Sequence, residues 1–132
     1  MEKTVVNPVT WGNRFHFVQA NTLRSVDQWL VCSGQVDVDD DGRPLHEGDM
    51  RAQAEGAWRN IERLLSLSGF TLADVVHITY YCTDIDAYIE AHRETGKPRL
   101  EAAGAQPSCT LLGISRLGFK ELMVEIEVLA AK

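Results

Sequence analysis

Residues 107–117 read Pro-Ser-Cys-Thr-Leu-Leu-Gly-Ile-Ser-Arg-Leu, and after a short break residues 122–130 read Leu-Met-Val-Glu-Ile-Glu-Val-Leu-Ala. In the second run Leu122, Val124, Ile126 and Val128 alternate with Met123, Glu125, Glu127 and Leu129. A period of two sets the first group against a core and turns the second to the opposite face. Both runs read as strands, and the few residues between them predict a hairpin. The second face then carries two carboxylates about 7 Å apart along the strand. Reagent groups and solvated surface charges look alike at this level.

Upstream, Val75 to Cys82 is rich in β-branched and aromatic residues and reads as a buried strand. Between it and the last strands lies a helical region beginning near Asp84, with Ile85, Tyr88, Ile89 and His92 on one stripe. Gly96 and Pro98 predict a break in it before Leu100–Ala103, and Gly104 stops it. The clearest helix precedes Val75. Asp49 is placed to cap it, Met50, Ala54, Ala57, Trp58, Ile61, Leu64 and Leu65 recur at spacings of three and four, and Gly69 closes it.

Before that helix, Trp29-Leu30-Val31-Cys32-Ser33 is almost continuously apolar. This predicts a central strand covered on both faces, with Gly34 allowing close backbone approach. A helix joining this strand to Val75–Cys82 has the length of a crossover and favours parallel pairing. Asp37–Pro44 is a polar loop without the spaced ligands of a calcium loop. At the N-terminus, Thr4–Pro8 reads as a short strand and Trp11-Gly12-Asn13 as a turn into an extended Phe15–Gln19, with Phe15 and Phe17 on one face. The order of elements predicts an α+β sandwich, a mixed sheet with two helices packed on one face. An apolar opposite face would be covered by self-association.

With 132 residues, 45% of them hydrophobic, the chain reads as a single domain over 1–132. Its apolar stretches fall short of a bilayer span and its first residues lack a signal peptide's apolar region, so a soluble cytoplasmic protein with no membrane partner is expected. Cys32, Cys82 and Cys109 lie far apart with no Cys-x-x-Cys spacing, which argues against a disulfide framework and a structural metal. The net charge of −6 and the absence of a basic stripe argue against a nucleic-acid partner. A small-molecule partner is compatible with either sign of charge.

Several phrases together resemble the RidA family, also called YjgF: Phe17-Val18-Gln19, Cys32-Ser33-Gly34-Gln35, Gly42 before the first helix, Asp74-Val75-Val76, Thr83 to Tyr88, Pro107 to Leu117, and Val124-Glu125-Ile126-Glu127. The resemblance spans nearly the whole chain. It implies a chorismate-mutase-like fold assembled as a homotrimer, with clefts between subunits. In the RidA branch it further implies hydrolysis of enamines and imines such as 2-aminoacrylate to 2-keto acids and ammonia, without a cofactor. Carried over by position, the water-positioning glutamate falls on Glu125, the cleft-lining serine and glycine on Ser33 and Gly34, and the N-terminal site tyrosine on Phe17.

Besides Phe17, two positions depart from that pattern. Cys109, in Pro-Ser-Cys-Thr, stands where the deaminases carry the arginine that clamps the substrate carboxylate, and His92 replaces the usual asparagine. Neither a thiol nor a thiolate reproduces a bidentate guanidinium clamp. The chain therefore looks like a member of an arginine-lacking subfamily acting on a substrate less dependent on a carboxylate. Thr110, beside Cys109, completes the expected substrate-binding set. If the family cleft is retained, Cys109, His92 and Glu125 are expected to converge on it, and a thiol with an imidazole and a carboxylate can make a nucleophile. Cys109 also fits a small core residue and His92 a helix-surface residue. A non-enzymatic ligand-binding or chaperone-like trimer is the alternative.

Overall fold

The computed structural model describes all 132 residues. Its elements are β1 (Glu2–Val6), a 3-10 turn (Trp11–Phe15), β2 (Ala20–Arg24), β3 (Trp29–Val31), α1 (Met50–Leu67), a second 3-10 turn (Leu72–Asp74), β4 (Val75–Cys82), α2 (Ile85–Glu94), α3 (Gly96–Ala103), β5 (Ser108–Gly113) and β6 (Val124–Ala131). β1 and β2 form an antiparallel ribbon, and the main sheet has the order β3-β6-β4-β5. This is a mixed α+β sandwich of the chorismate-mutase-like kind, with its helices on one face of the sheet.

The expected hairpin does not form. β5 runs parallel to β4, β6 runs antiparallel to β4, and β4 lies between them. The α2–α3 crossover delivers β5 to the outer edge of β4, and residues 114–123 are long enough to carry the chain past β4 to its other side. β3 is likewise an edge strand, paired with β6 alone, and Val31 is 78% exposed. Its apolar run reflects Leu30 and Cys32 turned to the core and Trp29 and Val31 turned out. β3 and β4 do point the same way, with β6 between them. The segment 15–19 also differs from its predicted strand: His16 sits at φ +60, and only Val18 pairs, with Ser108.

The helices follow their signals. Asp49 and Asp84 accept hydrogen bonds at their N-caps from the amides of Ala52 and Ala87. Gly69 and Gly104 take the left-handed conformations that close α1 and α3. The chain breaks at Thr95, and Pro98 falls in the first turn of α3, where its missing N–H costs no helical bond. Trp58, Ile61 and Leu65 of α1 pack on Ile78 and Tyr80 of β4 and on Val124, Ile126 and Val128 of β6. Arg99 then ties α3 to α1 through a paired contact with Glu55 (2.8 and 3.0 Å) and one with Glu62 (3.1 Å).

Two buried polar side chains hold the loops to this core. Asp37 lies against the backbone of Gly56 in mid-α1 and bonds His46 Nδ1 at 2.7 Å. Gln53, fully buried, accepts from the Met123 amide at 2.7 Å and donates to the Glu121 carbonyl at 2.8 Å. It fixes the start of β6 on α1. Gln53→Leu strands that amide and carbonyl and is expected to cost about 2–4 kcal/mol, read as a lower urea midpoint with unchanged slope.

Candidate functional site

Alternation along three hydrogen-bonded strands sorts the site residues. Tyr80, Cys109 and Leu111 face the helices. Tyr81, Thr110, Glu125 and Glu127 face the other way, in a register that sets Tyr81 beside Glu125 and Thr79 between Glu127 and Thr110. Cys109 and His92 thus share one side of the sheet, whereas Glu125, Thr110 and the Ser33–Gly34 segment occupy the other. Within one chain the three residues expected to converge do not, because Cys109 and Glu125 sit on strands whose inward sets are both locked to β4.

The helix-side group is a cavity of about 350 Å³. Trp11, Phe15 and Phe17 form one wall, with Trp11 edge-on to Phe17 at 5.3 Å and Phe15 stacked on it at 6.5 Å. Tyr80 and Tyr88, 5.1 Å apart, form the floor with Cys109 and His92. The 3-10 turn places the first wall, since Gly12 leaves room for the Phe17 ring where any Cβ would collide with it.

His92 is buried, and its Nε2 donates to the Phe15 carbonyl at 3.2 Å while Nδ1 faces the Tyr88 hydroxyl at 3.4 Å. Burial lowers its pKa, helped by the nearby charges of His16 and Lys97, so the ring is neutral at pH 7. Burial also pushes the Cys109 thiol up to about 12. The phenols of Tyr80 and Tyr88 are raised well above their ordinary value for the same reason. The Tyr80 hydroxyl lies beside the Cys109 thiol and the Tyr88 hydroxyl, with the geometry of a hydrogen bond to neither. A thiol held protonated, with an imidazole already committed to Phe15 and Tyr88, is not an activated nucleophile.

The second group is built on an irregularity. Cys32 donates to Val128 and Gln35 to Ile126, so three steps on one strand span two on β6, and Ser33–Gly34 form a bulge. The Gly34 amide consequently bonds no group of the chain. The Glu125 side chain folds over Gly34 so closely that a Cβ there would lie 2.6 Å from Glu125 Cδ. Partial burial, and then the charge of Glu127, raises the Glu125 pKa. The result is a carboxyl of raised basicity next to a free backbone donor.

A family profile described as endoribonuclease L-PSP matches residues 12–132. The RutC family protein YjgH of Escherichia coli is 34% identical over 109 residues, 82% of this chain and 78% of its own. The chain belongs to the Rid family. A Rid-family protein of unknown function from Yersinia pestis, YyfB, superposes with a TM-score of 0.82 at 26% identity over the full length of both chains. A Salmonella typhimurium protein named 2-iminobutanoate/2-iminopropanoate deaminase is 25% identical over 132 residues, all of this chain and 99% of its own.

In this Rid chain Phe17 lines the Cys109 cavity, while Ser33, Gly34 and Thr110 lie on the Glu125 side. Arg116 is exposed in the loop after β5 and bonds only neighbouring carbonyls. Arg14 stacks on Phe15, 4.7 Å from its ring centre, and is exposed. Neither enters the cavity in place of an arginine at position 109. No group of three or more His, Cys, Asp or Glu side chains is arranged to hold a metal. Sequence reasoning missed Trp11, Tyr80 and Tyr88 as site residues. The Tyr88–His92 spacing held a signal, since side chains four apart on a helix meet.

The raised thiol predicts slow chemistry. At pH 7.5 iodoacetamide should label Cys109 in the folded protein at least about tenfold more slowly than a free thiol. Unfolding in urea should restore the ordinary rate, as followed by peptide mass spectrometry.

Proposed function

We propose that the chain is a cofactor-free hydrolase of small imines or enamines, working as a homotrimer in clefts between subunits. The observation that carries this reading is the division of the site. Cys109 with its aromatic cavity and Glu125 with the Gly34 amide lie on opposite faces of one sheet, so they complete each other only across a subunit boundary. Exposed Trp29, Val31 and Leu112 on the Glu125 side offer apolar area for that contact. The deaminase name of the Salmonella relative supports the reaction class.

In this reading Glu125 takes a proton from water as its oxygen bonds to the imine carbon, and the Gly34 amide steadies the charge that develops. That proton passes to nitrogen to give a carbinolamine. Its hydroxyl proton follows to nitrogen through Glu125 as the carbon–oxygen double bond forms and the carbon–nitrogen bond breaks, and ammonia leaves with a carbonyl product behind. An enamine enters as its imine tautomer. A neighbouring subunit's Cys109 cavity holds the substrate from the side opposite the attacking water. With no arginine at this position the chain falls in an arginine-lacking branch, and 2-aminoacrylate, whose carboxylate has no clamp, is a poor substrate. The name endoribonuclease in the family profile finds no support in a chain of net charge −6 without a basic stripe.

The uncharged state of the cavity favours one other reading, a trimer that binds such compounds without turning them over. Ammonia release from imines generated in situ decides between them. For the hydrolase, kcat/KM rises with pH through the raised Glu125 value, because the base works only when ionised. Glu125→Gln removes that limb and lowers kcat about 10²-fold or more, while Cys109→Ser keeps most of the activity. Binding with no ammonia from the unaltered protein would leave the binder standing. Light scattering should give three times 14.7 kDa.

Glu125 also couples pH to stability. Its pKa is raised on folding, so the folded state holds more protons between the unfolded and folded values, and stability falls as pH rises through that window. In Glu125→Gln this decline is absent, and the Tm at pH 7 equals or exceeds that of the unaltered protein.

A further inference from the structure

We propose that the Cys109 cavity takes an uncharged, flat aromatic carbonyl or imine compound, held between its aromatic walls with the acceptor atom on the Tyr80 hydroxyl. This deepens the reading above and rests on the cavity being the ligand site. Three observations converge on it.

The first is shape. About 350 Å³ lies at the small end of the roughly 300–1,000 Å³ typical of small-molecule sites. The walls are ring faces and edges, Trp11, Phe15 and Phe17 on one side and Tyr80 and Tyr88 on the other. Offset and edge-on contacts between rings reward a flat aromatic guest beyond the area it buries.

The second is charge. Every titratable side chain on the cavity surface is neutral at pH 7: Cys109 and the two phenols protonated, His92 deprotonated. A carboxylate entering here would lose its water and gain no cation. Arg14, stacked on the Phe15 ring, is exposed and does not line the cavity.

The third is an unused donor. Tyr80 lines the cavity, and its hydroxyl is buried without a hydrogen-bond partner. A buried hydroxyl in that state favours a ligand that brings an acceptor. A carbonyl oxygen or imine nitrogen does so without bringing charge.

Three probes of matched shape test the assignment: acetophenone, ethylbenzene and phenylglyoxylate, titrated against the full chain by calorimetry and by NMR shifts of the Trp11 indole and Leu111 methyls. Acetophenone should saturate those shifts, binding about five- to tenfold more tightly than ethylbenzene. Tyr80→Phe should erase that difference. Phenylglyoxylate, the same ring and ketone with a carboxylate, should bind at least about tenfold more weakly, and Cys109→Arg should invert the order. Phenylglyoxylate binding as tightly as acetophenone at these resonances would overturn the ligand class and leave the cavity as the ligand site. An acetophenone affinity unchanged in Tyr80→Phe would overturn the hydrogen bond. If no probe moves the cavity resonances, both the ligand class and the cavity's role fall.

Discussion

The alternation of side chains across β4 is the constraint on which the rest depends. β4 is hydrogen-bonded on both edges, parallel to β5 and antiparallel to β6, so neither neighbour can slip by one residue without turning its whole apolar set away from α1. Tyr80 and Cys82 must face the helices, and the registers then place Cys109 with them and Glu125 behind. A choice made by hydrophobic burial thus settles which functional groups share a surface. It also leaves Cys109 and Glu125 on opposite surfaces of the chain, the division on which the proposed intersubunit site rests.

Desolvation governs the chemistry on the helix side. The same burial that lowers His92 raises Cys109 and the two phenols, and all four shifts discard charge. On the other face the carboxyl of Glu125 is only partly buried and keeps contact with solvent, so its shift tunes a base without extinguishing it. In the proposed mechanism, binding and proton transfer fall to surfaces of different dielectric character, separated by the thickness of a single sheet.

Much of the fold was legible because the signals were local. Asp49 and Asp84 as caps, the spacings of α1, the break around Gly96 and Pro98, and the alternation from Val124 onward each depend on residues within a turn or two. The hairpin expectation failed because strand adjacency is not local: the sequence of 107–130 holds nothing about β4, and only packing α2 and α3 on the sheet sends β5 to its far edge. The apolar run Trp29–Ser33 misled for a related reason, since an edge strand that carries apolar side chains on its exposed face reads like a central one. For the site, the residue types at 92, 109 and 125 drew attention through the family resemblance. Their faces could be assigned strand by strand, but the relation between Cys109 and Glu125 required the register. The Ser33–Gly34 bulge was invisible, because a bulge is a property of two strands.

The contact of Asp37 with Gly56 reaches beyond the place where it occurs. Residues 37–48 are a surface loop by composition, yet the Asp37 carboxylate is inserted where α1 has no side chain, Gln53 of the same helix holds the carbonyls of Leu45 and His46, and Asn60 holds that of Val36 just before the loop. Opening the loop would therefore uncover the middle of α1 and release the attachment that Gln53 makes to β6. Its amides should exchange with solvent on the timescale of the helix, as part of one cooperative unit. Here a polar segment marks no seam: insertions of the kind surface loops ordinarily accept would act on the core.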